Sequence, residues 1–406
     1  MPIRRAVTTR AASVLTTTLV GALLVGVTAP AQAARTPDVR RAGPSRVVVD
    51  GHGYGHGRGM SQWGAEAAAS RGVRHRAILG YYYPGTAVGR ATGSIRVWIR
   101  NDVTNDVQVI ARKRLTAHRV GGGATWRLDR AAPRAKRWRV LPAGDRFSVL
   151  EYLTHGWHRF RSVRGSLELG AGGRPVTLVR QGGRTAYRGV LRSVPSSTGN
   201  RITVNLLPLE TYLRGVVPAE TFASKWHPQA LQAQAVAART YAVYKRNQGR
   251  RTWDVDNTQA TQVYGGASAE YPTTDRAVGA TRGEIRTYAG AAAFTEFSAS
   301  NGGWRAAGDA PYLTAAQDIY ETSATPNHDW TVMLTDTKIE AAYRTIGDLQ
   351  SIVIDDRDES GRVRSLTITG SAGEVTPPGT DFAARFGLKS TLFGVRPPDA
   401  SGTTEL

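Results

Sequence analysis

Glu210-Thr-Tyr-Leu-Arg-Gly-Val-Val-Pro-Ala-Glu220 and, after Thr221–His227, Pro228-Gln-Ala-Leu-Gln-Ala-Gln-Ala-Val-Ala-Ala-Arg-Thr-Tyr-Ala-Val-Tyr244 form the stretch from which the rest of the chain is read. The second run predicts a helix. Pro228 suits a first helical position, where its missing N–H would have no partner anyway. Alanine and glutamine are good interior residues, and Leu231, Ala235, Ala238 and Ala242 recur at helical spacing. A face of such small side chains lets another element approach closely, so the helix is expected to be buried. Glu220 follows Val216-Val217-Pro218-Ala219, an apolar setting that disfavours a charged carboxyl and raises its pKa toward the range of a general acid. The same residue could equally be a charge placed near the positive end of the following helix. Spacing alone leaves both readings open.

The chain of 406 residues has room for two or three compact units. Arg4, Arg5 and Arg10 precede an uncharged, largely apolar run from Ala11 to Pro30 that closes on Ala31-Gln32-Ala33. These are the parts of a secretory signal peptide (1–33), with cleavage after Ala33; the alternative is an uncleaved anchor. No hydrophobic consensus follows Arg4-Arg5, which favours general secretion over the twin-arginine route. Residues 34–46 are polar, carry Pro37 and Pro44, and read as a linker. With no cysteine, the chain offers no thiolate metal ligand or cysteine nucleophile, and a secreted product must be held by its core alone.

Charge is lopsided. The whole chain carries +21, yet residues 201–406 hold 20 basic and 23 acidic groups and so sit near −3. The N-terminal half carries the entire excess, which suits attraction to anionic wall polymers or lipid headgroups outside a cell. Secretion and the lack of a reading motif argue against nucleic acid. Arg-rich composition alone is the competing explanation.

Residues 47–90 form the second informative segment. Val47–Val49 reads as a short strand, followed by Gly51-His-Gly-Tyr-Gly-His-Gly-Arg-Gly-Met-Ser-Gln-Trp-Gly64. Glycine at alternate positions permits backbone conformations and close approaches that other residues forbid. Helices are expected from Ser61 to about Ser70 and from His75 through Tyr82, stopped by Pro84-Gly85. His52 and His56 invite a metal, but no third ligand is evident locally, so none is expected. Between 91 and 186 the pattern turns to strands, at Ile95–Arg100, Arg137–Leu141 and Phe147–Glu151, separated by glycine-rich turns. This reads as a β-rich basic module with Arg and Trp on its exposed faces, suited to sugar stacking or simply to solubility. The fold class expected overall is α+β: a mixed helix and strand catalytic-type domain with a β-rich inserted module.

Residues 205–244 resemble the signature segment of the stage II sporulation protein D family, bacterial cell-wall proteins that include lytic transglycosylases and the related amidase enhancers. The match runs through Asn205–Glu210, Tyr212–Glu220, Ala230-Leu231 and Ala233–Tyr241. Gly55-His56-Gly57, Gly59–Gly64 and Tyr82–Thr86 resemble the same family's glycine-histidine loop. In the usual order that loop follows the glutamate block, whereas here it precedes it, as in a circular permutation. Gln262-Val-Tyr264-Gly-Gly and the run from Ala293 to Gly303 also fit, with Ser298 and Ser300 where some members place zinc ligands, so zinc is not expected. The resemblance covers roughly 47–86 and 187–393, the latter read as the main domain, with 394–406 as a tail.

The resemblance implies a secreted protein acting on peptidoglycan glycan strands as a lytic transglycosylase, without cofactor or metal. Glu220 would protonate the oxygen between N-acetylmuramic acid and N-acetylglucosamine, then act as base while the sugar's own 6-hydroxyl captures the cation. An intramolecular nucleophile removes the need for a second carboxylate, and the sequence shows no obvious partner for Glu220. His56, Gln62, Gln234, Arg239 and Tyr241 are expected to orient the glycan, with Gln262 and Tyr264 lining its groove. The rival reading is a non-enzymatic wall-binding protein that enhances an N-acetylmuramoyl-L-alanine amidase; a purely structural envelope protein is a third.

Overall fold

Alanine content decides how the helices pack. The computed structural model describes residues 46–144, 146–195, 200–249 and 252–397. Within it Pro228–Asn247 is a single helix, with Pro228 in the first turn and the His227 ring accepting the Gln229 N–H at the cap. It is buried along most of its length. Ala235, Ala238 and Ala242 face one hydrophobic cluster, while Ala230, Ala233 and Ala237 face another. A helix packed on two sides leaves little room for side chains, which is why the sequence spends so many alanines here. Helices Gln62–Ser70, His75–Tyr82, Leu209–Glu220 and Pro272–Ala280 and strand Glu284–Tyr288 surround it.

The structure is mixed α+β, with eight helices and many strands among the described residues. One sheet has seven strands in the order Val255–Asp256, Ser94–Trp98, Arg201–Pro208, Val190–Pro195, Leu167–Gly170, Thr116–Arg119 and Thr125–Arg127. A second has six, in the order Trp157–Arg164, Phe147–Leu153, Arg137–Ala143, Val107–Ile110, Val176–Arg180 and Gly183–Tyr187. Both supply side chains to a shared core that includes Val97, Val109, Trp138, Leu169 and Leu178, and this core continues into Tyr212, Val216 and Ala238. The expected division at 186/187 therefore runs through a continuous sheet and core: Ser94–Trp98 pairs directly with Arg201–Pro208. On the outer face Arg139 lies 3.9 Å over the Trp157 ring and donates through Nε and Nη2 to Glu151 Oε2.

The beginning and end of the described chain meet. Arg46–His52 is the central strand between Asp329–Thr335 and Phe393–Arg396, antiparallel to both. Residues 394–396, expected as tail, are thus strand, because their backbone completes this sheet and Phe393 and Val395 enter a third core with Val47, Val49 and Phe382. The remainder of the tail, the expected leader and the linker up to residue 45 lie outside the described residues. No described helix is long and apolar enough to cross a membrane.

Leu209–Glu220 is itself a helix of 12 residues, ending on Glu220. The sequence offered little sign of it, since Val216-Val217-Pro218 combines β-branched residues with a helix breaker. Burial of Tyr212, Leu213, Val216 and Val217 outweighs that local preference and the ladder bond that Pro218 cannot donate. Glu220 consequently sits at the negative end of its own helix.

Candidate active site

A cavity of about 470 Å³ is lined by Tyr54, His56, Arg58, Gln62, Glu220, Tyr241, Gln259–Thr261 and Glu296–Ala299. Five parts of the chain build it, the Pro228–Asn247 helix contributing Tyr241. The Leu209–Glu220 helix delivers Glu220, and the glycine-histidine loop delivers His56, Arg58 and Gln62. The loop after Val255–Asp256 and the run leading into Phe297–Ser298 form the remaining walls.

Close backbone contact fixes the loop. Gly53, Gly55, Gly57 and Gly59 all have positive φ, which explains their alternation in the sequence. At Gly59 a Cβ would lie 2.0 Å from the Glu296 carbonyl oxygen. The next residues, Met60-Ser61, pair in parallel with Phe297-Ser298, locking the loop onto the opposite wall. Ser61 then caps the Gln62–Ser70 helix by accepting the Gly64 N–H, so Gln62 starts the helix facing the cavity.

Burial holds the Glu220 carboxyl above its ordinary value of 4.5. The Val263 N–H donates to its Oε1 at 2.6 Å and opposes that shift, as does the nearby Gln62 amide. Gln62 nevertheless closes no bond through Nε2 among the described residues, so it acts as a neighbouring dipole. Ser298 Oγ is likewise buried without a partner among them. A polar ligand in the cavity would find both groups unspent.

His56 is a neutral imidazole at neutral pH. Crowding by protein, with Arg58 and then Arg362 acting in the same sense, lowers its pKa to about 4; Glu296 and the Phe297 carbonyl oppose this. Its Nδ1 accepts the Arg58 N–H at 3.0 Å, which places the ring proton on Nε2. His56 keeps an exposed edge and cannot serve as a proton donor near neutrality.

Glu296 was not singled out from the sequence. It brings a second carboxylate to the cavity, and Arg58 forks it through Nε at 3.0 Å and Nη2 at 2.8 Å. The grip is a bidentate, charge-assisted pair. The two acids thus differ: one is buried and accepts a backbone N–H, the other is neutralised by a guanidinium.

Of the remaining residues expected at the groove, four fall elsewhere and Tyr241 lies on it. Arg239 is fully buried and does not line the cavity; it forks Glu210 through Nε and Nη2, both at 2.9 Å, and donates to the Glu284 and Val278 carbonyls. Gln262 accepts from the Tyr212 hydroxyl and donates to the Ala238 carbonyl. Tyr264 donates to Asn205 Oδ1 at 2.9 Å. Both are buried, and between them they fix the backbone that presents Val263 N–H to Glu220. Gln234 is buried, lies outside the cavity lining, and has neither amide atom paired among the described residues. Tyr241 does line the cavity, stacked on Phe294 with Lys245 over its ring.

His52, considered beside His56 for a metal, groups instead with His328 and Asp329 outside the cavity. Asp329 Oδ1 lies 2.6 Å from His52 Nδ1 and 2.8 Å from His328 Nδ1. A tetrahedral zinc with bonds near 2 Å would hold its ligand atoms about 3.3 Å apart, wider than these direct side-chain contacts. Asp254 and Asp256 are occupied by Arg96 and by Thr258.

Residues 197–288 match the family described as Stage II sporulation protein. Over 119 residues the chain is 44% identical to an uncharacterised protein of Brachyspira hyodysenteriae, covering 29% of this chain and 32% of that one. It is 38% identical over 134 residues to the amidase enhancer of Bacillus subtilis, covering 32% and 17% respectively. With stage II sporulation protein D of Bacillus subtilis it shares 28% identity over 226 residues, 50% of this chain and 64% of the relative. The chain thus spans less than two thirds of the length of each of these relatives.

Proposed function

Since the chain belongs to the stage II sporulation protein D and amidase enhancer family, we propose that it acts on the bacterial cell wall as a lytic transglycosylase, with Glu220 as acid and then base. The observation that carries this reading is a carboxyl held above 4.5 by burial, on the wall of a cavity of about 470 Å³. That volume suits one or two sugar rings of a longer strand.

The protonated Glu220 gives its proton to the glycosidic oxygen between N-acetylmuramic acid and N-acetylglucosamine as the bond breaks. The 6-hydroxyl of the same muramic residue attacks the oxocarbenium carbon, and the Glu220 carboxylate takes the hydroxyl proton, which regenerates the acid. Atoms balance without water, and the product ends in a 1,6-anhydro ring. Glu296, held by Arg58, lies on the same cavity, where its carboxylate would favour the developing cation. Val263 N–H steadies the carboxylate once the proton has left. Neutral His56, Gln62, Ser298 and Tyr241 supply polar and aromatic wall for hydroxyl and acyl groups.

Purified peptidoglycan digested with the full chain should release 1,6-anhydromuramyl products, detected by mass spectrometry and absent with Glu220→Gln. Ordinary reducing ends would defeat the transglycosylase reading. The identity with an amidase enhancer favours one rival, stimulation of a wall amidase without catalysis. Undiminished stimulation by Glu220→Gln, with no anhydro product from the parent chain, would establish that rival instead.

A further inference from the structure

A second cavity of about 500 Å³ shares Gly55, His56 and Arg58 with the first. Its other walls come from Asp358–Arg364 and from residues between Thr380 and Thr391, with Val363, Ala383 and Leu388 as apolar surface. These segments lie outside the matched residues 197–288.

Charge on this cavity is one-sided. Arg58, Arg362, Arg364 and Lys389 line it against the single carboxylate of Asp358. Asp358 Oδ1 is already committed, accepting from the Ser360 N–H and hydroxyl and from the Arg362 N–H. Arg58 is matched by Glu296. Lys389 donates to the neutral amide oxygen of Asn327, and Arg364 lies 3.6 Å from Asp356 in a mostly exposed pair of little strength in water.

Arg362 is the telling residue. It is 4% exposed, and its guanidinium donates to three neutral oxygens: the Trp304 carbonyl, the Ser360 hydroxyl and the Asn301 carbonyl. Its Nε is buried without a partner, and no carboxylate is paired with the guanidinium among the described residues. Of five N–H donors, three are used. Burial lowers its pKa to about 10, which leaves it charged at neutrality. Asp358 and Glu321 act on this buried cation without pairing with it directly, so a desolvation cost remains that an anion in the adjoining cavity would relieve further.

We propose that this second cavity is a subsite for a carboxylate borne by the glycan, on a sugar beside the one whose bond lies at Glu220. Arg362 supplies fixed positive charge from the floor, and Arg364 and Lys389 reach the ligand directly. The inference rests on the glycan reading of the first cavity. Two sources offer this chemistry: the free lactyl carboxylate of peptide-free muramic acid, and a carboxylate of an attached stem peptide.

The test uses the full chain carrying Glu220→Gln, so that ligands are not consumed, and isothermal titration calorimetry at low salt. The probes are chitotetraose, a peptide-free tetrasaccharide of alternating N-acetylglucosamine and N-acetylmuramic acid, its lactyl methyl ester, and the same tetrasaccharide bearing tetrapeptides. A charged form should bind about tenfold more tightly than the ester, the scale of one charge-assisted hydrogen bond. If the free acid binds best, the lactyl group is the source; if the peptide-bearing probe does, the peptide is. In Arg364→Ala/Lys389→Ala, where both side chains are exposed and the fold is expected to hold, the preference should shrink to about twofold or less. Equal binding of charged probes and ester, or a preference undiminished in the double variant, overturns the subsite. Chitotetraose binding in that event leaves the glycan reading standing. Failure of all four probes to bind overturns both.

Discussion

Replacing Arg239 with methionine separates a structural role from a ligand-binding one. The arginine sits fully buried, with both arms of its fork on Glu210 at 2.9 Å, and it donates to the Glu284 carbonyl at 3.1 Å and the Val278 carbonyl at 3.2 Å. Methionine fills much of the space and satisfies none of these acceptors. Breaking a buried pair from one side costs about 3–5 kcal/mol. Glu210 retains the Gly283 N–H and some solvent, which lowers the carboxylate's share, whereas each orphaned carbonyl adds about 1–3 kcal/mol. A net loss of about 4 kcal/mol is the expectation. In urea, with a slope of about 3 kcal/mol per molar, the unfolding midpoint should fall by more than about 1 M. Chain that remains folded should bind glycan as the parent does. Glu210→Gln/Arg239→Met should recover part of the loss, because the uncompensated charge is then gone. An unshifted midpoint combined with glycan binding weakened more than about tenfold would refute the assignment and return Arg239 to the groove.

Glu220→Gln should be more stable than the parent chain at pH 7. The folded carboxyl binds its proton more tightly than the unfolded one at 4.5, so native stability falls as pH rises through the folded value; the gap between the two proteins should therefore close below pH 4.5 in thermal melts. Gly59→Ala should destabilise by more than about 2 kcal/mol and abolish activity, since a Cβ at φ 67° would also meet the Glu296 carbonyl at 2.0 Å; urea denaturation and product assay check both. Tyr264→Phe should cost about 1–2 kcal/mol, because it leaves Asn205 Oδ1 buried without its donor. Its effect on catalysis should appear in kcat, since the loop that carries Val263 N–H loosens while the cavity walls persist.

Much of the helical framework can be read directly from the chain. The Pro228–Asn247 helix declares itself because small residues at helical spacing have few other uses, and alternating glycines announce a loop pressed against backbone. Strands such as Arg137–Ala143 and Phe147–Leu153 follow from period-two alternation. What stays hidden depends on pairing across long stretches of sequence. Ser94–Trp98 joins Arg201–Pro208, so a division drawn from a change in pattern cuts a sheet in half. Glu296 reaches the cavity only because Phe297-Ser298 pairs with Met60-Ser61, and no local spacing announces that. Arg239 reads as a ligand-binding group within a functional motif until its partner, Glu210, is seen on the neighbouring helix. The Leu209–Glu220 helix forms against its own β-branched and proline residues because five apolar side chains are buried at once.

The central claim is that a single sheltered carboxyl carries the proton, and its titration tests this most directly. Carbon-13 labelling of glutamate carboxyls, with the Glu220 resonance assigned by its loss in Glu220→Gln, gives the midpoint in the intact protein. The expected midpoint lies above 4.5, and it should rise further when a neutral oligosaccharide excludes water from the cleft. A midpoint at or below 4.5 would mean that Glu220 is already ionised near neutrality, and the proposed acid chemistry would fail.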